Sequence, residues 1–101
     1  MTMLHIVNKS PASSDTLGSC LRFAQPGDAL LLIEDGIYAA TVGGSVEASL
    51  REAGARLQIH ALQPDIDARG MSARMMEDIT LVDYGGFVDL AAAYHTSHAW
   101  L

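Results

Sequence analysis

Residues 29–33, Ala-Leu-Leu-Leu-Ile, are apolar at every position and are closed by Glu34-Asp35-Gly36. A strand with one face in water alternates apolar and polar residues. One that does not alternate is buried on both faces, which points to a parallel sheet covered by helices. The remaining elements are expected to fit around that central strand. Met3–Val7 suits a first strand, residues 56–62 alternate around Leu57, Ile59 and Ala61, and residues 79–82 suit a fourth strand. Leu17, Cys20, Leu21 and Ala24 fall on one helical face, stopped by Pro26-Gly27. Ser10 with Pro11 offers that helix a start, and Ser13, Ser14 and Asp15 offer later ones. A second helix is expected from Ser45 to Ala53 with Gly54 as its stop, and a last one over residues 87–94. Residues 37–42 are ambiguous; 64–70 and 72–77 suit a turn and short helices, with Asp65 and Arg69 able to pair. Strand and helix alternate. The expected fold class is a small three-layer α/β domain with a mostly parallel four- to five-stranded sheet, one domain over residues 1–101.

Composition limits what such a domain does. Half of the residues are hydrophobic and 18% are charged, a low share for so small a surface. Some apolar surface should therefore be covered by a partner. The net charge is −6, and the cations Lys9, Arg22, Arg51, Arg56, Arg69 and Arg74 are scattered. No basic run tracks phosphates, so direct nucleic-acid binding is not expected. No apolar stretch reaches membrane-span length and the first residues lack a signal peptide's pattern, which suggests a cytoplasmic protein without membrane contact.

Cys20 is the only thiol. It cannot form an internal disulfide, so it is a small apolar packing residue or a thiol used for chemistry. Its position in a helix's second turn gains little from the dipole. His95 and His98 are three apart and suit a shared helical face, but a third metal ligand is lacking, and no metal site is expected. His5 and His60 fall in strands, where a hydrogen-bonded core histidine is the default. Asp35 and Asp83 close two strands at the carboxyl end of the sheet, where ligands gather, although capping a turn or helix suffices to explain them. Met71, Met75 and Met76 suit core filling, and Trp100-Leu101 suits burial against the domain or a partner. Phosphate-binding loops, nucleophile elbows and metalloprotease helices are absent from the sequence.

Several local strings stand in a characteristic order along the chain. They are Met3-Leu4-His5, Asn8-Lys9-Ser10-Pro11, Glu34-Asp35-Gly36-Ile37-Tyr38-Ala39-Ala40, Ala68-Arg69-Gly70, Val82-Asp83-Tyr84, Phe87-Val88-Asp89-Leu90 and Ala99-Trp100-Leu101. Together they resemble the DsrH/TusB family of sulfur-relay subunits over almost the whole chain. The resemblance implies a flavodoxin-like fold and a cytoplasmic heterohexamer with DsrE/DsrF-type (TusD/TusC-type) subunits. It further implies that sulfur travels as a cysteine persulfide to a DsrC/TusE-type acceptor, with no metal or organic cofactor. Cys20 matches a cysteine typical of DsrH-type members, which makes it the candidate catalytic residue and, together with Asn8-Lys9-Ser10-Pro11 and the string from Glu34 to Ala40, tilts the end use to intracellular sulfur oxidation. The TusB branch instead serves 2-thiolation of the tRNA wobble uridine. The main sulfur-accepting cysteine in such complexes lies in the DsrE/TusD-type subunit, so a non-catalytic assembly role is also open. A small ligand-binding domain using Asp35 and Asp83 is the third reading.

Overall fold

A computed structural model describes residues 2–100. In chain order they form β1 (Met3–Val7), α1 (Thr16–Phe23), β2 (Ala29–Leu32), a 3₁₀ segment (Glu34–Ala40), α2 (Glu47–Ala53), β3 (Gln58–Leu62), α3 (Gln63–Ala68), a 3₁₀ turn (Ser72–Arg74), β4 (Thr80–Val82), α4 (Tyr84–Ala93) and β5 (Thr96–Trp100). All five strands share one sheet in the order β4-β3-β2-β1-β5, and every pairing is parallel. The three-layer α/β expectation holds. The last strand lies beyond β1, so the C-terminal residues form one outer edge.

The two faces of β2 explain its lack of alternation. Leu30 and Leu32 pack with Leu17 and Cys20 of α1, its C-cap Ala24, and Leu50 and Ala53 of α2, whereas Ala29 and Leu31 join the α4 side through Phe87 and Leu90. Each β2 leucine is fully buried, a transfer contribution of about 1.5–3 kcal/mol apiece. Met76 is buried and Met71 and Met75 pack against the same core, so this methionine group fills space.

The structure departs from expectation at several ends. α1 begins at Thr16, not at Ser10, because Ser10 accepts at its carbonyl from the Ser13 and Ser14 amides and closes a turn around Pro11. Asp15 stands at the N-cap of α1 without a side-chain capping bond, and Val46 rather than Ser45 precedes α2. Of the ambiguous stretch, residues 37–40 join the 3₁₀ segment, and Thr41 forms an isolated antiparallel bridge with Met75. Glu34 enters the 3₁₀ segment at φ 48°, a left-handed conformation that costs a side-chain-bearing residue about 1–2 kcal/mol. Gly36 there is sterically required, since a Cβ would collide with the Val7 carbonyl oxygen. α4 starts three residues earlier than its periodicity suggests, at Tyr84, because Asp83 caps it by accepting the Gly86 amide at 2.8 Å. His98 lies in β5, so it shares no helical face with His95. Of the terminal pair, Trp100 is half-buried against the core, and Leu101 is outside the described residues.

Candidate functional site

Cys20 sits on the inner face of α1, whose spacing of Leu17, Cys20 and Ala24 turns all three toward the sheet. Its side chain has 0% exposure. Burial pushes its thiol from the ordinary 9.0 to about 12, the Asp28 carboxylate adds to the rise, and only the Arg56 guanidinium opposes it. At pH 7 the thiolate fraction is then on the order of one in 10⁵, and the thiolate is the form that attacks sulfur. Arg56 does not pair with the sulfur. It donates instead to the carbonyls of Ala24 at 2.9 Å and Leu21 at 2.8 Å, closing the C-terminal end of α1. The surface cleft between α1 and α2 is lined by Leu17, Gly18, Leu21, Ser49, Ala53 and Arg56 among others, and Cys20 does not reach it.

The histidine of β1 has both ring nitrogens committed to other partners. His5 is fully buried in β1. Its Nε2–H donates to Asp28 Oδ2 at 2.8 Å, and its Nδ1 accepts from the Trp100 indole N–H at 3.1 Å. An indole N–H only donates, so the ring's single proton is fixed on Nε2. Both nitrogens are used. Asp28 also accepts the Met3 amide at 2.9 Å and the Gln25 amide at 3.0 Å. Burial alone would raise its pKa; the Gln25 amide, His5 and the Met3 amide outweigh that and hold it below the ordinary 3.8. This network ties together the starts of β1 and β2 and the end of β5. His5 is therefore the hydrogen-bonded core histidine expected of it, while Asp28 escaped notice. Its signal was an acid directly before a wholly apolar strand.

His60 departs from that default. It is half-buried on β3 with Nδ1 unpartnered, and burial lowers its pKa from 6.5. The two acidic corners are also separate structures. Asp83 caps α4, whereas Asp35 accepts from Arg69 Nε at 3.0 Å. β3 lies between the strands that lead into them. The expected Asp65–Arg69 pair is loose at 3.9 Å because Asp65 accepts the amide of the strained Glu34 at 2.6 Å. Among the described residues, no three His, Cys, Asp or Glu side chains are grouped to hold a metal ion, and no helix is long and apolar enough to cross a membrane.

The remaining feature is α4. It is apolar nearly all round, with Asp89 as its one charge, yet none of its residues is fully buried. Phe87 and Leu90 face the sheet, while Tyr84 and Val88 are 62% and 67% exposed. A helix apolar on every side usually lies inside a structure, so the exposed outer face of α4 is a candidate contact surface.

Comparison with known proteins gives a consistent picture. The model of the family described as "DsrH like protein" matches residues 9–97. The chain is 39% identical over 98 residues to Protein TusB of Pectobacterium atrosepticum, covering 97% of this chain and 100% of the relative. Protein TusB of Escherichia coli K12 matches with the same identity and coverage. Among solved structures, the ychN protein of E. coli superposes with a TM-score of 0.80 over 98% of both chains at 14% identity. A protein of unknown function from Methanobacterium thermoautotrophicum gives 0.74 over 97% of this chain and 96% of its own, also at 14% identity. At that identity the two structures speak for the fold alone.

Proposed function

Since the chain belongs to the DsrH/TusB family of sulfur-relay subunits, we propose that it works in a cytoplasmic relay complex as an assembly subunit whose partners carry the persulfide. The observation that carries this reading is the environment of Cys20. A carrier thiol must meet donor and acceptor sulfurs at the surface as a thiolate. Cys20 is enclosed and its thiol is pushed up to about 12. A carrier role for Cys20 requires a partner to lift α1 off the sheet, at the cost of exposing Leu17 and Ala24 with it.

The apolar outer face of α4 supports assembly with related subunits of the DsrE/DsrF or TusD/TusC kind, in a heterohexamer that delivers sulfur to a DsrC/TusE-type acceptor. The test is sulfur transfer by the assembled complex containing Cys20→Ala. Unchanged transfer supports the assembly role, and loss of transfer from an intact complex overturns it. For the end use, relatives named TusB at 39% identity over nearly the full length favour tRNA wobble-uridine 2-thiolation. That stands against the sulfur-oxidation tilt drawn from Cys20 and its neighbouring strings. Deleting the gene and measuring 2-thiouridine in tRNA decides between them: its loss supports thiolation, and intact 2-thiouridine with impaired sulfur oxidation supports the other branch.

A further inference from the structure

Besides its pairing with β1, β5 is fastened to the domain by one side chain. Thr96 to Ala99 are exposed, and of the β5 residues only Trp100 packs against the buried cluster. The Trp100 ring stands edge-on to Phe23 with centroids 5.7 Å apart and meets the His98 ring at 4.8 Å. Its indole N–H donates to His5 Nδ1 at 3.1 Å.

That bond exists in one protonation state of His5 only. An indole N–H donates and never accepts, so Nδ1 must keep a free lone pair. Nε2 already carries the ring's proton and donates it to Asp28 Oδ2 at 2.8 Å. A second proton therefore goes to Nδ1, where the imidazolium sets N–H against N–H. The hydrogen bond becomes a repulsion, and the new donor is left unpaired in a fully buried site. Displacement of Trp100 relieves both.

The groups facing His5 set the balance. Asp28, just before β2, is held below the ordinary carboxylate range, so it stays charged while an imidazole titrates and favours the added proton. The β2 neighbour Leu30 is apolar. From α1 comes the Phe23 ring, with centroids 6.0 Å apart, and the Cys20 thiol, also in the field of Asp28, stays neutral with its pKa raised to about 12. Arg56 is tied to the carbonyls that close α1. β5 supplies Trp100 and, against it, His98.

We propose that His5 and Trp100 form a pH-sensitive latch, in which protonation of His5 releases Trp100 and with it β5 while β1 to β4 stay folded. Asp28 draws the proton in and the indole donor opposes it, so proton uptake and strand release are one linked step. The hold on β5 is complete while His5 is neutral and is lost as pH falls through its protonation.

The experiment follows the full chain from about pH 8 to about pH 5 in a His98→Gln background, which removes the other histidine that touches the indole. Nitrogen resonances of the His5 ring report its protonation, and the emission of Trp100, the only tryptophan, reports its burial. The expected result is one shared midpoint. His5 gains its Nδ1 proton, Trp100 emission moves to the red, and β5 amides exchange roughly tenfold faster after correction for the pH dependence of chemical exchange, with β2 and β3 amides unchanged. A His5 ring that stays neutral over that range, or one that protonates with emission and β5 exchange unmoved, overturns the proposal. Loss of protection across the whole sheet at that midpoint also overturns it, since that is global unfolding. Trp100→Phe gives a second reading: without the indole donor His5 takes its proton at higher pH than in wild type, and an unchanged midpoint refutes the coupling. Should either variant fail to fold, the His5 resonances and β5 exchange of wild type still decide. None of these outcomes depends on whether Cys20 carries sulfur.

Discussion

Replacing Cys20 with serine and with alanine separates a packing residue from a surface thiol by the order of the two effects. Cys20→Ala removes only a sulfur from a fully enclosed site, a loss of about 1–2 kcal/mol in packing. Cys20→Ser loses packing too, oxygen being smaller than sulfur, and places a hydroxyl among Leu17, Leu30 and Ile37, all in the same buried cluster. Burying that group adds a further ~1–3 kcal/mol, since the one acceptor in easy reach is the carbonyl of the preceding helical turn. Serine is therefore the worse substitution. For a domain of this size each kcal/mol moves the melting temperature by roughly 4–8 °C, so Cys20→Ser is expected to melt about 10 °C below Cys20→Ala. Thermal unfolding followed by circular dichroism reads this directly. The thiol also carries a pH signature. Its folded pKa is raised from 9.0 to about 12, so the stability it confers is complete below pH 9 and is lost as pH rises from there toward 12. The advantage of wild type over Cys20→Ala should shrink over that interval. Serine and alanine variants that both melt with wild type, or an advantage flat across the alkaline range, would refute the argument that Cys20 is enclosed.

Three other outcomes follow from the same geometry. Asp28→Asn removes an acid held below its ordinary pKa by three hydrogen bonds. The stability that acid gives is present above the unfolded value and falls as pH drops through the folded one, so urea titrations of wild type and variant should converge below about pH 4. Trp100→Phe leaves His5 Nδ1 buried without its donor and should cost about 1–3 kcal/mol, with hydrogen exchange accelerated first in β5. Glu34→Gly relieves a left-handed residue whose side chain is exposed. The predicted change is a gain of up to ~1 kcal/mol or none, and a clear loss of stability would show that the 34 position is not strained.

The core was readable in the sequence because burial leaves a pattern. Residues 29–33 announced a doubly covered strand, and the spacing of Leu17, Cys20 and Ala24 marked the face that packs on it. β5 left no such trace. Thr96-Ser97-His98-Ala99 is polar and small, as an edge strand with exposed side chains is free to be, and only pairing with the distant β1 makes it a strand. The His5–Asp28–Trp100 network was hidden for the same reason: its members are 23 and 95 residues apart along the chain. Asp83 was legible as a cap, since Asp suits a helix start, yet Gly85-Gly86 are poor helix formers and hid the fact that the helix runs through them. For Cys20, helical spacing gave its face but not its depth. Depth is a property of what covers it, α1 against β1 and β2, and it is depth that sets the pKa.

The most direct test of the central claim is the intact mass of this chain after incubation with persulfide-loaded partner subunits, wild type beside Cys20→Ala. No added sulfur is expected on either form while the partners remain loaded and the complex assembled. One sulfur atom added to wild type alone, and removed by reductant, would contradict it and make Cys20 a working carrier.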